Sequence, residues 1–109
     1  MRNLLEETIE VLDNHGKTKN QVLYCATLDG SFSFAEFEKL AKEINYDAGC
    51  GGEEIALDLV IVGADFWLER YESDGAEWWG LNTFPTKQKK MKITSKTLLS
   101  YWGGQDDSK

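Results

Sequence analysis

The sequence predicts an α+β domain, a small antiparallel sheet of three to four strands with a C-terminal β-hairpin, packed against two amphipathic helices. Three observations predict it. Two stretches repeat apolar residues at helical spacing, 57–62 is a nearly continuous apolar run, and two alternating segments flank Asp74-Gly75.

The first helix follows from Leu4, Leu5, Thr8, Ile9 and Leu12 on one face, with Glu6, Glu7, Glu10 and Asp13 on the other. Asn3 is placed to cap its start and Gly16 to close its end in a left-handed conformation. "TKNQ" at 18–21 has the Thr-x-x-Gln pattern of a capping box, so a short helical turn is expected before the strand "VLYCATL". Asp29-Gly30 marks a turn. Ser33 and Glu36 then form a second capping box, with Phe32 and Phe37 at the positions of a hydrophobic staple. This second helix is expected to face Phe34, Phe37, Leu40, Ala41 and Ile44 inward and to fail near "DAGCGG", where glycines lower helix propensity.

"LDLVIV" at 57–62 reads as a strand covered on both faces. Gly63-Ala64-Asp65 turns the chain, and 66–72 with 77–84 form a hairpin around Asp74-Gly75, ended by Pro85. "TKQKKMKITSK" reads as an exposed basic linker or edge. Leu98, Leu99, Tyr101 and Trp102 are candidates to dock back on the body. The expected organisation is one domain at 1–86, a linker at 87–97 and a C-terminal segment at 98–109.

The hairpin holds three of the four tryptophans. A two-residue loop pairs Tyr71 with Trp78, Arg70 with Trp79 and Leu68 with Leu81, whereas a three-residue loop exchanges the two adjacent tryptophans between faces. In either register, alternation sends Trp78 and Trp79 to opposite faces, and likewise Phe66 and Trp67. Both faces are therefore aromatic. Two helices cover one of them, which leaves the other for the C-terminal segment, a second copy or a foreign partner.

Charge constrains that partner. The chain carries −7 overall, but residues 1–86 hold 17 acids against six bases, while 87–100 hold five lysines and no acid. An acidic body is poorly matched to phosphate backbones and better matched to a basic protein. Contact with nucleic acid through Lys87, Lys89, Lys90, Lys92 and Lys96 is a lesser reading than a solvated linker. The candidate binding set is Trp67, Tyr71 and Trp78 as anchors, with Glu69, Glu72, Asp74 and Glu77 as an acidic rim, since aromatic residues concentrate interface energy.

No catalytic constellation is readable. His15 stands alone at a helix end, and "GCGG" lacks the lysine and hydroxyl of a phosphate loop. Glu53, Glu54 and Asp58 read as solvated acids ahead of metal ligands. Glu69, Glu72 and Glu77 are the one set that adjacent strands could bring to glycosidase spacing. The expectation is a non-enzymatic protein with no cofactor and no metal. Cys25 and Cys50 read as free thiols in a reducing cytoplasm. The N-terminal stretch is too acidic for a signal peptide, and no run is apolar enough to span a membrane.

"DLVIVGADFWLERYESDGAEWW" at 58–79, with "SFAEFEKLAKEINYDAGCGG" before it, resembles a family of small, acidic, mostly uncharacterised phage and prophage proteins of Gram-positive bacteria. The likeness spans roughly residues 30–85, and Ser73 and Gly80 depart from its pattern near the turn. The resemblance supplies no catalytic residues. It implies a phage accessory protein working in the host cytoplasm, an anti-CRISPR-like inhibitor that occupies the basic groove of a defence nuclease. The alternative is a structural or regulatory phage protein that self-associates, as a homodimer, through the same hairpin.

Overall fold

The computed structural model describes residues 1–49, 51–52 and 54–100. Strand β1 (Arg2–Asn3) runs directly into helix α1 (Leu4–Asn14), and the Asn3 side chain accepts from the Glu6 N–H at 3.0 Å. Gly16 takes the left-handed conformation (φ 70°) beyond the helix end. A 3₁₀ turn at Lys19–Gln21 follows, with the Gln21 side chain accepting from the Thr18 N–H at 2.8 Å. Strands β2 (Val22–Thr27) and β3 (Gly30–Phe32) form a tight hairpin.

Helix α2 (Phe34–Ala41) starts at the expected capping box. The Glu36 N–H donates to Ser33 Oγ at 3.0 Å, and the Ser33 N–H donates to Glu36 Oε1 at 2.9 Å. The helix stops at Ala41, one turn early. Leu40 and Ile44, expected inside, are exposed, because only Phe34, Phe37 and Ala41 of this face reach the sheet. Strand β4 (Asn45–Tyr46) then returns to pair with β1, and Asn3 Nδ2 donates to the Lys42 carbonyl at 3.0 Å beside it.

Strands β5 (Val60–Gly63), β6 (Phe66–Ser73) and β7 (Ala76–Thr83) complete a five-stranded antiparallel sheet of order β3-β2-β5-β6-β7. The α+β class is as the sequence predicts, with more strands because β1, β3 and β4 are too short to show a period. The β5 run is not covered on both faces. Ile61 is buried, but Val60 and Val62 are half-buried and Leu57 is exposed, since the helices lie on one side only.

The core fills the helix side of the sheet with Leu4, Leu12, Phe34, Phe37, Ile61, Phe66, Leu68 and Trp79. Cys25 is a free thiol within it, and burial pushes its pKa up to about 12. Cys50, the other cysteine, lies outside the described residues. Residues 83–100 are all exposed, including one helical turn, α3 (Ser95–Leu98). Leu98 and Leu99 do not dock back, and Tyr101 and Trp102 lie outside the described residues. Among the described residues, no helix is long and apolar enough to cross a membrane.

Candidate functional site

The β6–β7 hairpin closes with a two-residue loop. Asp74 (φ 51°) and Gly75 (φ 85°) both occupy the left-handed region, the geometry that Asp-Gly favours in a type I′ turn. That loop sets the register in which Tyr71 faces Trp78 and Arg70 faces Trp79. Phe66, Leu68, Arg70, Glu77 and Trp79 consequently point into the helix side and are buried there. Trp67, Glu69, Tyr71, Trp78, Gly80 and Asn82 point to the outer side.

On the outer side the rings form a strip along the hairpin. Near the turn, Tyr71 and Trp78 stack with centroids 6.3 Å apart. The Tyr71 ring lies over Gly80, where any Cβ would overlap it, and Asn82 Nδ2 donates to its hydroxyl at 3.1 Å. At the other end Trp67 meets Phe84 at 5.0 Å, and Trp67 Nε1–H donates to Glu69 Oε2 at 2.6 Å. The strip continues across the sheet through Val62, Val60 and Tyr24, which pair outward in register. Tyr24, Tyr71, Trp78 and Phe84 are exposed and Trp67 is half-buried, so this face stays open to solvent among the described residues.

The acidic rim is not a single rim. Glu69 shares the outer face with the rings, while Asp74 stands at the exposed turn apex. Glu72 belongs by alternation to the other face, and its Oε2 accepts from the Gly75 N–H at 3.2 Å. Glu77, expected at the rim, is 2 % exposed and cannot meet a partner. Of the three acids read as a possible glycosidase-like pair, Glu69 lies on the opposite face of the hairpin from Glu72 and Glu77, which face each other across it, and the Glu77 carboxylate is held by Arg70 and two backbone N–H groups.

Glu77 is buried because it closes an ionic network that the sequence reading missed. Arg70, with no exposed side-chain surface, lies 3.1 Å from Glu77 Oε1 and 3.4 Å from Glu7 Oε2. Its guanidinium sits 4.8 Å over the Trp79 ring and 5.5 Å from the Tyr46 ring. Tyr46 donates its O–H to Glu7 and accepts from Arg70 at 3.0 Å. Burial, with the bond to Glu7, pushes the Tyr46 pKa up to about 12. Burial alone would lower the Arg70 pKa, but Tyr46, Glu7 and Glu77 together hold it above its ordinary value.

The carboxylates also serve the backbone. Glu77 accepts from the N–H groups of Glu54 (2.6 Å) and Ile55 (3.1 Å). Glu7 accepts from the Trp79 N–H at 3.0 Å, and the Glu77 N–H donates to the Ala48 carbonyl at 2.9 Å. These two bonds block the outer edge of β7 against further strand pairing. Thr8 accepts from Trp79 Nε1–H at 2.7 Å and donates to the Leu4 carbonyl at 2.7 Å. One signal for this joint was available. In the two-residue register, Arg70 and Glu77 share parity with Phe66, Leu68 and Trp79, and a lone cation on an apolar face implies a buried anion.

Among the described residues, no group of three or more His, Cys, Asp and Glu side chains is placed to hold a metal ion. His15 Nδ1–H donates to the Val11 carbonyl at 2.9 Å, an ordinary helix-end contact. Glu54 and Asp58 are both exposed, and Asp58 accepts from the Leu28 N–H at 3.0 Å. Comparison of the chain with protein-family models, with curated proteins and with solved structures finds no match.

Proposed function

We propose that this chain is a non-enzymatic binding protein that docks a basic protein through the outer face of its sheet, with Trp67, Tyr71 and Trp78 as anchors. The observation that carries this reading is the open strip of paired rings, Tyr71 on Trp78 and Trp67 on Phe84. A small domain gains little fold stability from large apolar rings left in water, whereas a binding surface gains much from them. Glu69 within the strip, with Glu72 and Asp74 at the tip, supplies the charge that would select Lys or Arg. The body's negative charge would speed encounter.

The resemblance to phage accessory proteins carries the reading further. The partner would be a host defence protein, a CRISPR nuclease, and the chain a phage-encoded inhibitor that occludes its basic nucleic-acid groove. Phage survival on a host with an active nuclease, with this protein expressed beforehand, tests it. Protection that disappears in a folded Trp67→Ala/Trp78→Ala variant supports the inhibitor. Failure to protect across several defence systems overturns it. A dimer lost on Trp67→Ala would assign the same face to self-association.

A further inference from the structure

On the opposite, helix-covered side of the sheet, Phe32, Phe37, Leu40, Ile44 and Leu59 line an apolar groove of about 520 Å³. Its charged lining residues are two acids, Glu36 and Glu54, and among the described residues no base lines it. Leu40 is 71 % exposed at a helical position whose spacing would bury it. A groove with an apolar floor and carboxylates at its rim suits an apolar segment flanked by cations.

The chain carries such a segment. Pro85 takes the backbone off β7, and residues 83–100 are exposed throughout. This arm bears five lysines and no acid between residues 87 and 100, with Met91, Ile93, Leu98 and Leu99 all left in solvent. Leu98 and Leu99 follow Lys92 and Lys96 within seven residues, so one short stretch carries both the apolar side chains and the cations that the groove's lining would complement.

We infer that the arm docks in the groove of a second copy, so that two chains exchange arms reciprocally. Both complementary parts belong to one sequence, yet within one chain they stay apart. Among the described residues, the groove is lined only by ones between 4 and 59, and the arm is exposed. A two-fold exchange uses each part twice and closes, leaving no unpaired arm to propagate. Leu98 and Leu99 enter beside Leu40 and Ile44, while Lys92 and Lys96 meet Glu36 and Glu54. The aromatic strip takes no part, so the exchange stands or falls separately from the proposed function.

Sedimentation equilibrium of the full chain over a dilution series tests this. The expected result is a dimer that dissociates in high salt. Leu98→Asp/Leu99→Asp on the arm, or Leu40→Asp in the groove, should each give monomers. All three sites are exposed, so these variants should fold, and circular dichroism checks that they do. Mixing the arm variant with the groove variant should restore a dimer, because one intact arm meets one intact groove. A monomer at every concentration overturns the proposal, as does a dimer that survives both variants. An arm protected from protease in a monomer, or one that binds bare DNA without self-association, also counts against it.

Discussion

Trp78 and Trp79 are chain neighbours on β7 with opposite surroundings: Trp79 is 4 % exposed and Trp78 is 42 % exposed. Trp79 lies under the Arg70 guanidinium and donates its indole N–H to Thr8, whereas Trp78 stacks on Tyr71 in the open strip. The fold rests on one and the proposed interface on the other. Trp79→Ala should therefore cost about 3–5 kcal/mol of stability, the range for emptying a buried aromatic site. Trp78→Ala should cost under about 1 kcal/mol, the scale of a cross-strand pair. Urea unfolding of the two variants measures both.

The buried ionic joint makes a second prediction. Removing Arg70 strands two carboxylates, and removing Glu7 or Glu77 leaves a guanidinium short of partners and backbone N–H groups unbonded. Arg70→Ala or Glu77→Ala should each cost about 3–5 kcal/mol, as broken buried pairs do. Glu7→Ala should also raise aggregation at matched stability, because it uncovers the Trp79 N–H on the β7 edge. Denaturation midpoints and light scattering separate the two effects.

Two glycines make a matched pair. A Cβ at Gly63 would overlap the Phe66 ring, and one at Gly80 would overlap the Tyr71 ring. Phe66 is fully buried and has nowhere to move, so Gly63→Ala should destabilise strongly. Tyr71 is exposed enough to swing away, so Gly80→Ala should keep most of the stability while spoiling the Tyr71–Trp78 stack. A small change in melting temperature beside a large loss of partner binding is the expected signature.

Alkaline pH should weaken the fold. The Cys25 thiol rises from its ordinary 9.0 to about 12 through burial, and the Tyr46 phenol from 10.0 to about 12. Both folded-state values are raised, so the folded chain holds protons that the unfolded chain has released. Their contribution is complete below pH 9 and is lost as pH climbs toward 12. Cys25→Ala should flatten the early part of that decline and Tyr46→Phe the later part, read from unfolding free energies across the range.

Much of this architecture was legible in local chemistry. Asn3, the Ser33–Glu36 box and Asp74-Gly75 act through neighbours three or fewer residues away, so a sequence displays them directly. The opposite placement of Trp78 and Trp79 followed from strand alternation alone. What stayed hidden depends on contacts distant in the chain. Glu7 looked like a solvated helix acid, but it meets Arg70 and the Trp79 backbone more than 60 positions away. Glu77 looked like a rim acid, yet its alternation with exposed Trp78 places it inside. Leu40 and Ile44 had the right spacing for burial, but α2 ends before the sheet can cover them. The two-residue β1–β4 ladder is too brief to leave a pattern at all.

The proposed function requires the outer strip to be an interface and not misplaced core. Titration of Trp67→Ala/Trp78→Ala and of the unmodified chain into a purified, guide-loaded CRISPR nuclease, at low and high salt, distinguishes the two. The expected result is salt-sensitive binding by the unmodified chain and at least a tenfold loss, about 1.4 kcal/mol, in a double variant that still melts cooperatively. Undiminished binding by that variant would contradict the claim, and so would a double variant that fails to fold.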